Sequence, residues 1–140
     1  MGLALAWMGL PGWATSTSTL ELHVQGARLQ AELAITPGER ERGLMHRQTL
    51  PPDHGMLFVF ASPTPVCMWM KNTVLPLSVA FIGTDGRILA LADMQPLSLT
   101  PHCAPVPVPY ALEVPLGWFA RHGVGVGSRI DGLPGLQRRR

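Results

Sequence analysis

Glycine and proline interrupt this chain so often that long helices are excluded before any motif is read. Fifteen glycines and fourteen prolines among 140 residues put a turn former or chain breaker at about one position in five. That density suits many short strands. The segments between them can still build a core, since 46% of residues are hydrophobic and only 14% charged, unlike the composition of a disordered chain. A chain of 140 residues fits one compact domain. Its formal net charge of +2 includes the terminal Arg138-Arg139-Arg140 run. The folded body is therefore nearly neutral and lacks the basic surface of a nucleic-acid-binding protein.

Residues Leu3 to Leu10 are wholly apolar, and Gly12 and Ala14 stand at the −3 and −1 positions of a cut after Ala14. Residues 1–14 therefore read as a signal peptide, although no basic residue precedes Arg28. The alternative is a strand or short helix packed on the domain. Residues 15–19 read as a polar spacer, 20–131 as the single domain and 132–140 as a flexible basic tail. No other stretch approaches the 18 apolar residues of a membrane-spanning helix, so the mature chain is expected to be exported, periplasmic or extracellular, and without a membrane span. Cys67 and Cys103 agree with an oxidising compartment if they pair; otherwise they are two small buried hydrophobes, and spacing leaves both open. Neither lies in a CxxC motif, which disfavours a thioredoxin-like role.

Leu20 to Val24 and Leu29 to Ile35 alternate apolar and polar residues around Gln25-Gly26, which predicts an opening β-hairpin. Thr36-Pro37-Gly38-Glu39 carries a capping box with proline at the first helical position, so a short helix is expected to run from there to Gln48. Met56 to Phe60 reads as a strand covered on both faces and broken by Ser62-Pro63-Thr64-Pro65, with Cys67 to Lys71 the next extended segment. Val79 to Ile82 and Ile88 to Ala92 flank an Asp85-Gly86 turn and form the clearest hairpin. Gln95 to Pro109 holds five prolines and is expected to be a long surface loop. Tyr110 to Val114 reads as a strand, Pro115 to His122 as a helical turn and Val124 to Ile130 as a final strand. Together these predict a mainly β fold, a compact antiparallel β-sandwich or partly closed barrel with one or two short helices.

Met68 to Thr73 is the most unusual stretch, because it sets the only lysine beside a tryptophan, an asparagine and a threonine. Trp69 offers an apolar wall, Lys71 a point charge, and Asn72 and Thr73 directed hydrogen bonds for an oxygen-rich ligand. The structural alternative has Trp69 in the core, Lys71 snorkelling and Asn72-Thr73 closing a turn. Arg40, Arg42 and Arg47 suit a carboxylate or phosphate clamp, but Glu39 and Glu41 lie among them and local pairing on a solvated face is the simpler expectation. Glu113 lies within an apolar strand, where alternation turns it either to solvent or inward; facing inward it needs a partner such as Lys71 or an arginine. The five histidines never occur at metal-motif spacing. Met45, Met56, Met68, Met70 and Met94 form a soft copper(I) set only if they converge, and core packing is the ordinary use of such residues. No nucleophile elbow or phosphate loop is present.

Four segments, Glu41-Arg42-Gly43-Leu44-Met45-His46-Arg47, Gly55 to Phe60, Met68 to Thr73 and Leu112-Glu113-Val114, resemble in order and spacing the domain of unknown function 192 family. The resemblance covers roughly Leu20 to Ile130. It implies a compact, mostly β domain, often in exported bacterial and archaeal proteins, and no known activity. Members usually carry Leu-Asp where this chain has Leu77-Ser78, and Gly-Asp where it has Gly127-Ser128. The resulting expectation is a monomeric, cofactor-free, non-catalytic module. It would bind a small polar ligand or an envelope protein through Arg40, Arg42, Met45, Trp69, Lys71, Asn72, Thr73 and Glu113. The rival readings are an enzyme using Lys71 or Glu113 as general acid or base with Arg40 or Arg42 stabilising negative charge, and a copper(I) or other metal carrier.

Overall fold

A computed structural model describes residues 19–135. The expected signal peptide, most of the spacer and the terminal arginines lie outside the described residues. Strands β1 (Thr19–Val24) and β2 (Ala27–Ala34) form the opening hairpin, turned by Gln25 and Gly26 at φ +50° and +82°. Positive φ at both central residues gives a turn whose twist matches the flanking strands. Helix α1 (Pro37–Arg42) follows, with the predicted capping box complete: the Glu39 amide donates to Thr36 Oγ1 (3.1 Å) and the Glu39 carboxylate accepts from the Thr36 amide (2.9 Å). These bonds hold the Glu39 carboxyl below its ordinary pKa. The helix stops at Gly43 and not at Gln48, because Gly43 turns to φ +48° while its amide still caps the Glu39 carbonyl.

The α1 crossover returns the chain as β3 (His54–Thr64), parallel to β2. The strand does not end at Ser62-Pro63. It continues to Thr64, which pairs with Val108 after a register shift, and a bulged stretch tolerates proline where a regular ladder would not. β4 (Cys67–Met68) pairs with β7 (His102–Cys103) in a small separate sheet, so the proline-rich loop is strapped down at its middle. β5 (Leu77–Ile82) and β6 (Ile88–Met94) form the second hairpin, β8 (Val108–Pro115) inserts between β5 and β3, and α2 (Trp118–Arg121) leads to β9 (Ile130–Asp131). The main sheet has the order β6-β5-β8-β3-β2-β1-β9.

Alternation along these strands divides the core in two. One face carries Leu22, Leu29, Leu57, Leu112, Val114, Trp118 and Ile130; the other carries Ala34, Phe58, Leu77, Val79, Phe81 and Ala111 under Leu44, Val66 and Met70. The sheet curls around the first group. Backbone bonds from Ile88 to Ser128, Gly127 to Ile88 and Ile130 to Gly86 (2.8–2.9 Å) join the start of β6 to the segment before β9, which nearly closes the half-barrel at one end. That segment is mostly turn and not the strand expected from Val124, since Gly127 sits at φ +89° and the Ser128 amide closes back on Gly125. Beyond Asp131 the chain is tied as far as Pro134, whose carbonyl accepts from the Tyr110 hydroxyl while Leu133 packs on the core. Among the described residues no helix is long and apolar enough to cross a membrane.

Candidate binding cavity

The second face of the sheet does not close completely. Between α1, the following turn, the β4 strap and β8 lies a cavity of about 250 Å³. Its walls are Gly43, Leu44, Met45, Phe58, Phe60 and Val66, its mouth holds Arg40, Arg42 and Trp69, and Thr73 and Glu113 reach it from within. Phe58 and Phe60 face it together because they are two residues apart on β3. Gly43 packs tightly, since a β-carbon there would sit 3.2 Å from the Phe58 ring and press on it.

Glu113 is the chemical centre. It lies opposite Met56 of β3 and Val79 of β5, on the face that carries Ala111, and is 4% exposed. Desolvation pushes its pKa from an ordinary 4.5 to about 8, with no hydrogen bond or charge acting against it. Among the described residues no wholly covered side-chain nitrogen or oxygen lacks a partner. The unpartnered Glu113 oxygens therefore look into the open space of the cavity. At neutral pH the group is a carboxylic acid, able to donate one hydrogen bond and accept others.

The arginines divide by task. The Arg40 guanidinium donates to the Ile35 and Val59 carbonyls and lies 4.8 Å from the Phe60 ring centroid, so its hydrogens are partly used by the fold. Arg47 reaches away from the cavity to form a two-pronged pair with Glu32 (2.6 and 2.7 Å). That partner on β2, and not Glu39 or Glu41, replaces the local pairing expected along α1. Burial of Glu32 makes the pair firm, and the Arg47 pKa rises because of that hydrogen bonding. Arg42 is exposed at the mouth and has no ion-pair partner among the described residues.

Of the Cys67–Lys71 segment expected to be extended, only Cys67–Met68 is. The chain then turns, with Asn72 at φ +53° and its carbonyl accepting from the His46 amide (2.8 Å). Trp69 is 47% exposed at the mouth, with Lys71 Nζ 5.2 Å from its ring centroid, and Met70 is fully buried. The Thr73 hydroxyl donates to the Lys71 carbonyl (2.9 Å). Of the eight residues singled out in the sequence, Arg40, Arg42, Met45, Trp69, Thr73 and Glu113 line the cavity; Lys71 and Asn72 stand beside it and do not. Lys71 makes no ion pair with Glu113, and no acid–base couple joins them. The methionines are divided, with Met45 and Met68 at the cavity and Met56, Met70 and Met94 in the core. Cys67 and Cys103 are joined in a disulfide, which leaves no thiolate there for a metal. Among the described residues no three His, Cys, Asp or Glu side chains gather as metal ligands. Sequence reasoning missed the Phe58-x-Phe60 pair, whose period-two spacing was available but reads equally as core.

The family described as DUF192, Uncharacterized ACR, matches residues 20–132. The chain belongs to this family. Two solved structures share the DUF192 chain's fold. One, described as a candidate transcription regulator from Sinorhizobium meliloti 1021, is 41% identical at a TM-score of 0.80, over 83% of this chain and 95% of that one. The other, a protein of unknown function from Novosphingobium aromaticivorans DSM 12444, is 32% identical at a TM-score of 0.78, over 84% of this chain and 88% of that one. No curated protein matches. The segments that carry the DUF192 resemblance, around Arg42 and around Trp69, are two sides of the cavity. The two positions where the resemblance implies an acid, Ser78 and Ser128, lie elsewhere. Ser78 is on the opposite face of β5, where its hydroxyl donates to Asp93 (2.7 Å) and accepts from the Gly117 amide, and Ser128 accepts from the Gly125 amide in the turn before β9.

Proposed function

We propose that this protein is a non-catalytic binding module of the cell envelope and that the cavity above Glu113 holds a small polar ligand. The observation that carries the reading is the convergence of Arg42, Trp69, Thr73 and Glu113, from three separate segments, on one cavity whose floor is a buried acid without a partner among the described residues. A buried polar group left unpaired costs stability, and such groups persist where something else uses them. Pockets of this composition, apolar walls with a few convergent polar atoms, are the usual form of small-molecule sites. Export is supported by the exposed Cys67–Cys103 disulfide, a kind of bond that persists in oxidising compartments.

A protein partner is the second reading, favoured by exposed Leu97 and Leu99, whose segment is bonded to the Met68–Thr73 stretch where the Ser98 carbonyl accepts from the Met70 amide. One experiment separates the two. Amide shifts are recorded on the full chain and its Trp69→Ala variant while sugars, small anions and envelope fragments are titrated. Shifts at Gly43, Thr73 and Glu113 in the wild type, weakened in the variant, support the cavity. Shifts confined to residues 97–99 support the partner surface, and no shift at all removes both.

A further inference from the structure

Two glutamates lie on one row across the main sheet, Glu32 of β2 and Glu113 of β8, separated by Met56 of β3. Both are buried, at 7% and 4% exposure. Glu32 has its counterpart in the chain, the forked pair with Arg47. Glu113 has none among the described residues, which leaves it open to a group that enters the cavity. The charged groups that share its cavity are Arg40, Glu41 and Arg42, all from α1; Met56 and Val79, its neighbours on β3 and β5, carry no charge. Lys71 adds a further positive charge just outside the mouth. Three cations against one exposed carboxylate make the entrance positive, and a cationic ligand would enter against that field. The faces that otherwise suit a cation are already attended, Phe60 by Arg40 and Trp69 by Lys71. Arg42 remains as the free fork at the mouth, in the form that matches a carboxylate. The cavity volume, about 250 Å³, falls below the roughly 300–1,000 Å³ of sites for drug-sized ligands, which fits a hydroxy acid or a single sugar.

Resting on the ligand-site reading above, we propose that the cavity takes a small hydroxy acid or sugar acid. Its carboxylate sits against Arg42 at the mouth, and a hydroxyl at its other end exchanges hydrogen bonds with the protonated Glu113 at the floor. The ligand hydroxyl accepts from the Glu113 O–H and donates to its second oxygen. Ionisation of Glu113 removes the donor and sets a negative charge beneath an anion.

The test uses three hexoses of one ring size and different charge, glucuronate, glucose and glucosamine, with lactate as the smallest hydroxy acid, each titrated into the full chain and followed by the amides of Gly43, Thr73 and Glu113. Glucuronate is expected to bind at least about tenfold more tightly than glucose, with glucosamine weakest and lactate, whose hydroxyl adjoins its carboxylate, weaker than glucuronate, and Arg42→Ala to lose about tenfold for the anion. Because the bound form keeps the proton, anion affinity is level from pH 5 to 7 and falls about tenfold by pH 9. Glu113→Gln, which keeps a neutral hydrogen-bonding side chain, abolishes that fall while still binding. Glucose matching glucuronate, or glucosamine binding with an affinity that climbs towards pH 8, overturns this proposal and leaves the ligand site standing. Silence from every probe overturns both.

Discussion

A carboxyl group buried without a partner alters how the molecule responds to pH. The Glu113 pKa lies near 8 in the folded chain against 4.5 ordinarily, so the folded state holds a proton that the unfolded state releases between those values. The sign follows: this contribution is fully present below about pH 4.5 and is lost as pH rises through about 8. By pH 7 the loss relative to pH 4 is on the order of 3 kcal/mol. Glutamine removes the titration and keeps the shape. Glu113→Gln is therefore expected to gain on the order of 3 kcal/mol over wild type between pH 4 and pH 7, measured by urea unfolding at both. An unchanged difference between variant and wild type at the two values would show that Glu113 is ionised in the fold. Glu32, on the same row of the sheet, has its charge matched by Arg47. Arg47→Ala leaves a buried carboxylate alone and should cost about 2–3 kcal/mol, less than a wholly buried pair since Arg47 is partly exposed. The double variant Glu32→Gln with Arg47→Met should recover much of that loss, and a double variant as unstable as the single would sink the account. Glu113 was legible as a residue needing a partner. Its orientation was not, because alternation fixes two faces and says nothing of which face a neighbouring segment leaves uncovered.

At the scale of elements, the cavity depends on two devices that hold irregular chain in place. The first is Gly43, which ends α1 and lets the next turn carry Leu44 and Met45 over Phe58. A side chain there meets both an unfavourable φ of +48° and the Phe58 ring. Gly43→Ala should lower stability by about 1–2 kcal/mol and weaken ligand binding with it. Thermal unfolding checks the first effect, and an unchanged melting temperature would refute the assigned strain. The second device is the disulfide, which links β4 to β7 across 36 residues. Closing a loop of that size stabilises by about 4 kcal/mol in the chain-entropy account. The capping box and both hairpins could be read from local patterns, since each is specified by neighbours within a few residues. The passage of β3 beyond Pro63 and the collapse of the last strand to Ile130–Asp131 could not, because each is decided by a partner distant in sequence, Val108 and the β6 edge. The end of α1 is local, set by the positive φ that Gly43 adopts.

The molecule as a whole is a sheet whose two faces have different duties. The curled inner face, closed by α2 and by the bonds between Gly86, Ile88 and the segment before β9, supplies the continuous core. The outer face is covered by α1, its turn and the β4·β7 strap, and the cavity is the gap left in that cover. Composition predicted the strands and the resemblance predicted their sum, but strand order was beyond both, and order is what puts β8 between β3 and β5 and so Glu113 at the centre. The two losses of acid in the family's pattern illustrate the point. In the linear sequence Ser78 stands close to Thr73, yet alternation along β5 places it on the inner face, away from the cavity. This division predicts two levels of opening. Amides of β3, β5 and β8 lie in the middle of the sheet and should exchange with solvent only on global unfolding, while those of β4 and β7, held to four paired residues and one disulfide, should exchange by a separate, lower-energy opening. Reducing the disulfide should accelerate exchange at Cys67, Met68, His102 and Cys103 far more than at Leu112 or Ala80 under conditions where the sheet stays folded. Equal acceleration throughout would mean that the strap and the sheet unfold as one unit, and that the outer cover is part of the core it was taken to enclose.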